Sequence, residues 1–309
     1  MNLSFLTTFL ASYQTLILNL ATNAALALSM YVALRTGVFS VASIGAMAIG
    51  AYASALATIH LGTPFPVSML IGVVLALIVS IPLIIPVLRL NYMYLALATL
   101  SFNEIIGFVL IRWADVTGGP LGLVGIPKIV GFAHVGLYLL VLLLWFWRLE
   151  RGVFGRLTVA VQTDQQVVSS LGLEPGRVKV YGFLTSIAIG GSVGTLSAHF
   201  SRFIAPANFG FDVTISTLSY AVIGGLGAFW GPVAGALLLT AAPELLRFLG
   251  TFRLVVSSLL VLVVAIYYPD GLVGLVHRVA RVLWPHRASL PEQPPDQPTA
   301  HAREKRAWE

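Results

Sequence analysis

The sequence contains no cysteine and few charged residues. Of its 309 residues only 10% are charged, whereas 58% are apolar. The absence of cysteine excludes a disulfide scaffold, a thiol nucleophile and any metal site built on thiolates. Soluble domains carry about 25% charged residues, so the charge available here cannot cover the surface of a water-soluble protein of this length. We therefore expect the chain to lie in lipid.

The few charges are unevenly placed along the chain. Eighteen Lys and Arg against twelve Asp and Glu give a net charge of +6. The charges collect in the internal segment 150–180 and in the C-terminal stretch 277–309. Nucleic-acid binding needs a basic patch or stripe on a soluble face, and this distribution argues against it. The six histidines are dispersed and no His-Glu-x-x-His occurs, so neither a metal site nor a cofactor is predicted.

Long apolar runs make up most of the remaining sequence. A membrane helix needs about 20 mostly apolar residues. By this criterion we expect spans near 13–34, 39–60, 66–88, 92–113, 134–149, 178–200, 212–229, 231–249 and 253–270. The predicted fold is an all-α, polytopic transmembrane helical bundle of about 8–10 spans over residues 1–276, in which 212–249 could be one long interrupted segment. Residues 1–34 contain no Lys or Arg, which favours a retained first helix over a cleaved signal peptide.

The positions of Lys and Arg predict the orientation. Basic residues mark cytoplasmic loops, which places both 148–180 and the tail 277–309 inside. Four predicted spans separate these two regions. This number is even, which is required if both regions lie on the same side of the membrane. The N-terminus and the loops 114–133 and 201–211 are then outside. The tail is rich in Pro and Gln from Ser289 onward, and we expect it to be disordered.

The loop 150–178 is the most informative soluble segment. Between Arg156 and Leu173, apolar residues recur at roughly helical spacing, namely Leu157, Val161, Val168 and Leu171. Gly172 and the Pro175-Gly176 pair end the pattern. We therefore expect one short cytoplasmic amphipathic helix. It either docks a soluble partner or lies on the lipid surface, and its balanced charge favours docking because surface helices are richer in Lys and Arg.

A glycine-rich stretch, VIGGLGAFWGPVAG, occupies residues 222–235. Gly227, Gly231 and Gly235 recur at intervals of four, the small-residue spacing that lets helix backbones touch. The same glycines could break a helix, as transporters do near their substrate path. Packing and a gate remain alternatives here, with Gly224, Gly225 and Gly227 as the candidate gate residues.

Two acids lie at membrane depth, where an ionisable group costs a few kcal/mol or more. Glu244 stands three residues before Arg247, so the two can pair along one helix face. Glu104, beside Asn103, has no such neighbour. Glu104 is either a structural hydrogen-bond anchor or a group on a transport pathway, and Asn103 and Glu104 are candidate pathway residues.

The sequence supports neither of two enzyme motifs. Residues 190–194 match Gly-x-Ser-x-Gly, with His199 farther along the same helix, but that motif needs a strained strand-to-helix turn. Ser192 and His199 would also be about 10 Å apart along a helix. None of the three lysines follows a glycine, so no Walker A sequence is present. Any action driven by ATP must come from a partner.

Seven segments in order resemble the permease subunits of branched-chain amino-acid ABC transporters, the LIV system. The resemblance extends over roughly residues 20–276, which is most of the chain. The segments are SVASIGAMAIGAYAS (40–54), YMYLALATLSFNEI (92–105), TGGPLGLVGIP (117–127), GRLTVAVQTDQQVVSSLGL (155–173), VIGGLGAFWGPVAGA (222–236), PELLR (243–247) and YPDGLVGL (268–275).

The resemblance implies a non-enzymatic permease in a bacterial inner membrane, multi-pass with a cytoplasmic C-terminus. Its expected partners are a second homologous permease, two cytoplasmic ATP-binding subunits and an external substrate-binding protein. The residues that match the family's ATPase-coupling pattern are Gly155, Arg156, Ala160, Asp164, Leu171 and Gly172. The segment departs from the family at Gln162, where a basic residue is usual, and at Val167 and Val168, where a small pair is usual. These departures leave the particular ATPase partner open.

The expected function is therefore import of branched-chain amino acids, or of related amides or urea, driven by ATP that partner subunits hydrolyse. A self-sufficient secondary transporter or channel is the alternative, with Glu104 as its ion-linked group. An intramembrane serine hydrolase is a remote third. The sequence does not distinguish leucine, isoleucine or valine from urea.

Overall fold

The computed structural model describes residues 14–170 and 172–246, with the single residues 256, 271 and 274. Within 14–246 the helices are α1 (Gln14–Arg35), α2 (Ser43–Leu61), α3 (Phe65–Ser80), α4 (Ile84–Arg89), α5 (Tyr92–Arg112), α6 (Ala114–Thr117), α7 (Phe132–Arg151), α8 (Val153–Thr163), α9 (Gln165–Ser170), α10 (Pro175–Ser201), α11 (Phe211–Gly224) and α12 (Trp230–Leu245). Short 3-10 turns occupy Ile81–Leu83, Gly119–Leu121 and Pro206–Phe209. Two strands, β1 (Leu123–Val124) and β2 (Phe203–Ile204), pair antiparallel.

Six helical stretches among the described residues are long and apolar enough to cross a membrane. They are Thr15–Arg35, Ser43–Leu61, Phe65–Arg89, Tyr92–Arg112, Phe132–Arg151 and Pro175–Ser201. Each coincides with one of the first six predicted spans, so the prediction of an all-α polytopic bundle is confirmed. The predicted span 253–270 lies outside the described residues.

The six spans divide into a central and a peripheral group. In the most apolar 18-residue part of each span, 61–78% is buried within the protein for α1, α2 and α10. The corresponding share is only 17–22% for α3–α4, α5 and α7. The peripheral helices expose large side chains such as Leu70, Phe108 and Leu140. Such a surface is suited to hydrocarbon, which replaces water around a membrane bundle. The central helices therefore form the core, and the peripheral ones face lipid or another membrane subunit.

Glycines bring the central helices α2 and α10 into backbone contact. A Cβ on Gly190 would overlap the Ser43 carbonyl oxygen, and a Cβ on Gly194 would overlap that of Met47. Close approach of small residues is the usual basis of helix association in lipid. The Gly-x-Ser-x-Gly sequence is thus part of a packed helix interface.

The two loops predicted to lie outside meet in space. Leu123 pairs with Ile204 and Val124 with Phe203, which joins the loop 114–133 to the connection after α10. Gly122 lies against the Ile204 backbone with a φ of 78°, which a side chain would rarely adopt. The two loops therefore lie at the same end of the bundle, as the prediction that both are outside requires.

The region 211–245 differs from the prediction of two spans at 212–229 and 231–249. It forms a hairpin of shorter helices, α11 with 14 residues and α12 with 16. At 1.5 Å per residue α11 covers about 21 Å, less than the hydrocarbon thickness of about 30 Å. Before α11 the chain forms the 3-10 turn Pro206–Phe209 and an extended Gly210, and Gly225 ends α11 with a φ of 93°. The two helices touch through glycine, because a Cβ on Gly224 would overlap the Gly231 carbonyl oxygen.

Candidate functional site

Asn103 holds together the connection between α1 and α2. Its Oδ1 accepts a hydrogen bond from the Gly45 amide at 2.9 Å, and its Nδ2 donates to the Val41 carbonyl oxygen at 2.9 Å. Thr99 assists from the preceding turn of α5, where its Oγ1 accepts from the Val41 amide at 3.2 Å. Asn103 is buried, with 5% of its surface exposed. These contacts fit a residue that anchors non-helical backbone inside the bundle.

Glu104, the next residue, is exposed and lines a cavity of about 680 Å³. The other lining residues come from the outer half of α5 and from the outer connections, namely Asn103, Ile105, Gly107, Phe108, Ile111, Pro120, Pro206, Ala207, Phe209 and Gly210. The volume falls within the usual range of small-molecule sites, about 300–1,000 Å³. The walls are mostly apolar, and Glu104 is the one ionisable side chain among these residues.

The N-terminus of α11 borders this cavity. Gly210 is the N-cap of α11 and also a cavity residue. The first amides of a helix lack partners within the helix and carry a partial positive charge. The cavity therefore combines a carboxylate, a helix N-terminus and an apolar wall.

The segment predicted to form one amphipathic helix from Arg156 to Leu173 forms two, α8 and α9, so the single helix was wrong. The helix breaks at Asp164, which is extended with φ −157° and ψ 112°. Its carboxylate accepts a hydrogen bond from the Gln166 amide at 2.7 Å. Because Asp can bond nearby backbone amides in this way, it is more favourable at the start of a helix than in the interior. The predicted apolar face is otherwise present, because Val161 and Val168 pack together with Val178 of α10.

The residues of the predicted coupling pattern take several positions in this segment. Arg156 and Ala160 are exposed one turn apart on α8, and Asp164 is exposed at the break. Gly155 packs so closely against the Glu150 backbone that a Cβ at position 155 would overlap the Glu150 carbonyl oxygen. Gly172 adopts a φ of 76°, and Leu171 lies outside the described residues.

The candidate gate glycines lie at the turn of the α11–α12 hairpin. Gly224 and Gly225 are buried, whereas Gly227 is exposed at the bend. The turn meets the end of α1, because Arg35 Nη1 donates to the Leu226 carbonyl oxygen at 2.9 Å. Glu244 lies on α12, while Arg247, its expected partner, falls outside the described residues.

Glu150 is a residue at this turn that the sequence analysis did not select. Its Oε1 accepts from the Phe229 amide at 2.9 Å and from the Tyr31 hydroxyl. A signal was available in the sequence. Glu150 stands in the last turn of α7 between Arg148 and Arg151, and an acid at a helix C-terminus is unfavourable to the helix dipole. Such a placement indicates a partner elsewhere.

Ser192 and His199 have separate partners. Ser192 Oγ donates to the Ile189 carbonyl oxygen at 2.8 Å and is hydrogen-bonded to the Tyr138 hydroxyl at 2.5 Å. His199 is fully buried, with its Nε2 2.9 Å from Thr58 Oγ1. Both side chains therefore join helices of the bundle, and they do not form a nucleophile–base pair.

Known proteins resemble the chain over most of its length. The family model described as "Branched-chain amino acid transport system / permease component" matches residues 12–267. The high-affinity branched-chain amino acid transport system permease protein LivM of Escherichia coli (strain K12) is 32% identical, over 84% of this chain and 68% of its own. LivM of Salmonella typhimurium is 31% identical over the same shares.

A second group of relatives matches a shorter region. LivH of Salmonella typhimurium, a permease protein named for the same transport system, is 32% identical over 39% of each chain. No solved structure matches at a significant level. The family match covers the six spans, the cavity and the segment α8–α9. The chain therefore belongs to the family of permease components of branched-chain amino-acid transport systems.

Proposed function

We propose that the chain is one of two permease subunits of an importer that uses ATP to carry branched-chain amino acids into the cytoplasm. The observation that carries this proposal is the match to LivM over 84% of the chain. The chain contains no Walker A sequence, so the ATP is hydrolysed by two cytoplasmic partner subunits. An external binding protein delivers the substrate. The bacterial LivM relatives support an inner-membrane location.

The cavity beside Glu104 is proposed as part of the substrate path. It lies at the exposed face of the peripheral helix α5, where the second permease would enclose it. A branched-chain amino acid has an ammonium group, a carboxylate and an apolar side chain. Glu104 would face the ammonium group, the N-terminus of α11 the carboxylate and the apolar wall the side chain.

The segment α8–α9 is proposed as the site where the ATPase docks. Arg156 and Ala160 are exposed on one face of α8, and Val159 between them is 44% exposed. An exposed apolar side chain flanked by a charged one is typical of a docking face. The opposite face is held by Val161, which packs against α10 through Val178.

The orientation is proposed from the basic residues. Arg148, Arg151 and Arg156 lie at one end of the bundle with α8, and basic residues favour the cytoplasm. This places α8–α9 and the hairpin turn inside, and β1–β2 outside. α11 begins beside the outer connections and ends at the inner turn, and α12 leads back from that turn. The hairpin therefore leaves the number of passes between 150–178 and the tail even, which supports a C-terminus in the cytoplasm.

Uptake of labelled leucine and labelled urea tests the substrate. The chain would be reconstituted with its second permease, its ATPase and its binding protein, and each label supplied in turn with ATP. We expect leucine to accumulate and urea to remain at the level without ATP. Accumulation of urea alone would contradict the assignment to branched-chain amino acids and favour the amide branch of the family.

A further inference from the structure

Four side-chain contacts at the inner end of the bundle join four parts of the chain. They link the docking segment, the ends of α1 and α7, and the turn of the α11–α12 hairpin. We call the group Tyr31, Arg35, Glu150 and Gln162 the inner clasp. This inference rests on the proposed function, because it concerns how motion of the docking segment reaches the membrane helices.

The clasp satisfies backbone groups that helix ends leave unpaired. Glu150 accepts from the Phe229 amide at 2.9 Å, just before α12 begins. Arg35 donates to the Leu226 carbonyl oxygen at 2.9 Å. A carboxylate at a helix N-terminus and a cation on a carbonyl group are both favourable placements. The hairpin turn is therefore held from two sides by charged side chains.

The same clasp is in contact with α8. Gly155 packs so closely on the Glu150 backbone that a Cβ would overlap its carbonyl oxygen. Gln162, one residue before the last of α8, donates from Nε2 to the Leu34 carbonyl oxygen at 3.0 Å. A displacement of α8 must therefore displace the ends of both α7 and α1, or break these contacts.

Tyr31 fixes Glu150 from inside the core. Its hydroxyl donates to Glu150 Oε1, and its ring is 1% exposed and packs edge-on against Phe146 at 6.0 Å between centroids. A cavity of only about 20 Å³ remains between this group and Phe154 of α8. Tight packing transmits displacement because it leaves no free volume to absorb it.

We propose that Glu150 is a positioning residue that ties the docking segment to the glycine-rich turn, so that the two move as one unit during transport. The turn contains the gate glycines Gly224, Gly225 and Gly227. The hairpin in turn reaches the middle of α1, because Asn23 Nδ2 donates to Thr240 Oγ1 of α12 at 3.0 Å. The clasp is thus the mechanical link between the ATPase and the membrane core.

The test measures labelled leucine imported per ATP hydrolysed in the reconstituted complex. Glu150→Ala removes both bonds of the carboxylate. We expect the complex to assemble and hydrolyse ATP, with the ratio lowered about tenfold. Glu150→Gln keeps an acceptor for the Phe229 amide and should give an intermediate ratio. The matched control is Glu174→Ala, which removes an exposed glutamate paired with Arg177 and should leave the ratio unchanged.

Tyr31→Phe keeps the test decisive if Glu150→Ala fails to assemble. It retains the ring against Phe146 and removes only the hydroxyl, and we expect the ratio to fall about threefold. An unchanged ratio in assembled Glu150→Ala, or in Tyr31→Phe, overturns the proposal. Absence of ATP-dependent uptake in the wild-type complex would instead overturn the proposed function itself, so the two failures are distinguishable.

Discussion

Two adjacent polar residues on α5 lie in opposite environments. The side-chain amide of Asn103 is hydrogen-bonded at both its oxygen and its nitrogen to the backbone around the connection from α1 to α2, whereas Glu104 is exposed and lines the large cavity. An ionisable side chain within a span is stable only where protein or water surrounds it. At the residue scale, Asn103 therefore has the position of a structural anchor, and Glu104 has the exposed position that the proposed substrate path requires.

Replacing these two residues separates the roles. Glu104→Gln removes the charge and keeps the shape, and we expect leucine uptake to fall about tenfold with normal assembly, the effect of losing one charged hydrogen bond of about 1.5 kcal/mol. Asn103→Ala leaves the Gly45 amide without its partner and removes one of the two bonds to the Val41 carbonyl, which also accepts from the Ile44 amide at 3.3 Å, and it should lower the free energy of unfolding by about 2 kcal/mol. Uptake and thermal unfolding in detergent measure the two effects. Unchanged uptake in assembled Glu104→Gln would refute the pathway role.

At the scale of elements, the contact between α2 and α10 depends on glycine. Gly194→Ala would place a Cβ on the Met47 carbonyl oxygen, and we expect the free energy of unfolding to fall by about 1–3 kcal/mol. Gly136→Ala on α7 is the matched control, because no atom lies within 4 Å of its Cβ position. Thermal unfolding of the purified subunit compares the two variants. If Gly194→Ala is as stable as Gly136→Ala, the contact between α2 and α10 does not depend on glycine at position 194.

Two exposed arginines of the loop 150–178 test the docking face on α8, one as the test position and the other as the control. Arg156 lies on the proposed face, whereas Arg177 lies at the start of α10 and pairs with Glu174 at 2.6 Å. We expect Arg156→Glu to lower the amount of ATPase that co-purifies by about tenfold, since it reverses a charge at the contact. Arg177→Glu should leave it unchanged. Equal recovery of the ATPase with both variants would remove the docking assignment.

The sequence predicts those elements that repeat one simple pattern. Unbroken apolar runs located all six long spans, because length and hydropathy alone decide them. The break at Asp164 and the shortened α11 depend on local interactions that compete with helix formation. At Asp164 the side-chain carboxylate caps α9, and at Gly225 a positive φ ends α11. Contacts such as that between Glu150 and Phe229 join residues 79 apart. No local pattern encodes such a partner, although the unfavourable place of Glu150 indicated that one existed.

At the scale of the whole molecule, the two ends of the bundle should face opposite compartments. Because the chain has no cysteine, single cysteines can be introduced without background. Leu121 is 84% exposed beside β1, and Gly227 is exposed at the hairpin turn. With a membrane-impermeant maleimide, we expect Leu121→Cys to be labelled from outside the membrane and Gly227→Cys only after permeabilisation. The reverse pattern would invert the topology.

The whole assembly is proposed to be driven from the cytoplasm. The chain supplies spans, a cavity lined by the Glu104 carboxylate and an exposed face on α8 that is proposed for docking, and it lacks a phosphate-binding loop of the Walker A type. ATP can shift such a membrane part only through contacts that differ between its states. A secondary transporter would instead use an ion gradient, with Glu104 as the group that binds the ion.

Uptake of labelled leucine into vesicles that hold the complete complex distinguishes these two sources of energy most directly. We predict accumulation only when ATP is present on the side of α8–α9 and the binding protein on the opposite side. Dissipating the proton gradient should leave the rate unchanged. Accumulation driven by a proton gradient alone, without ATP or the binding protein, would contradict the proposal that partner subunits power this permease.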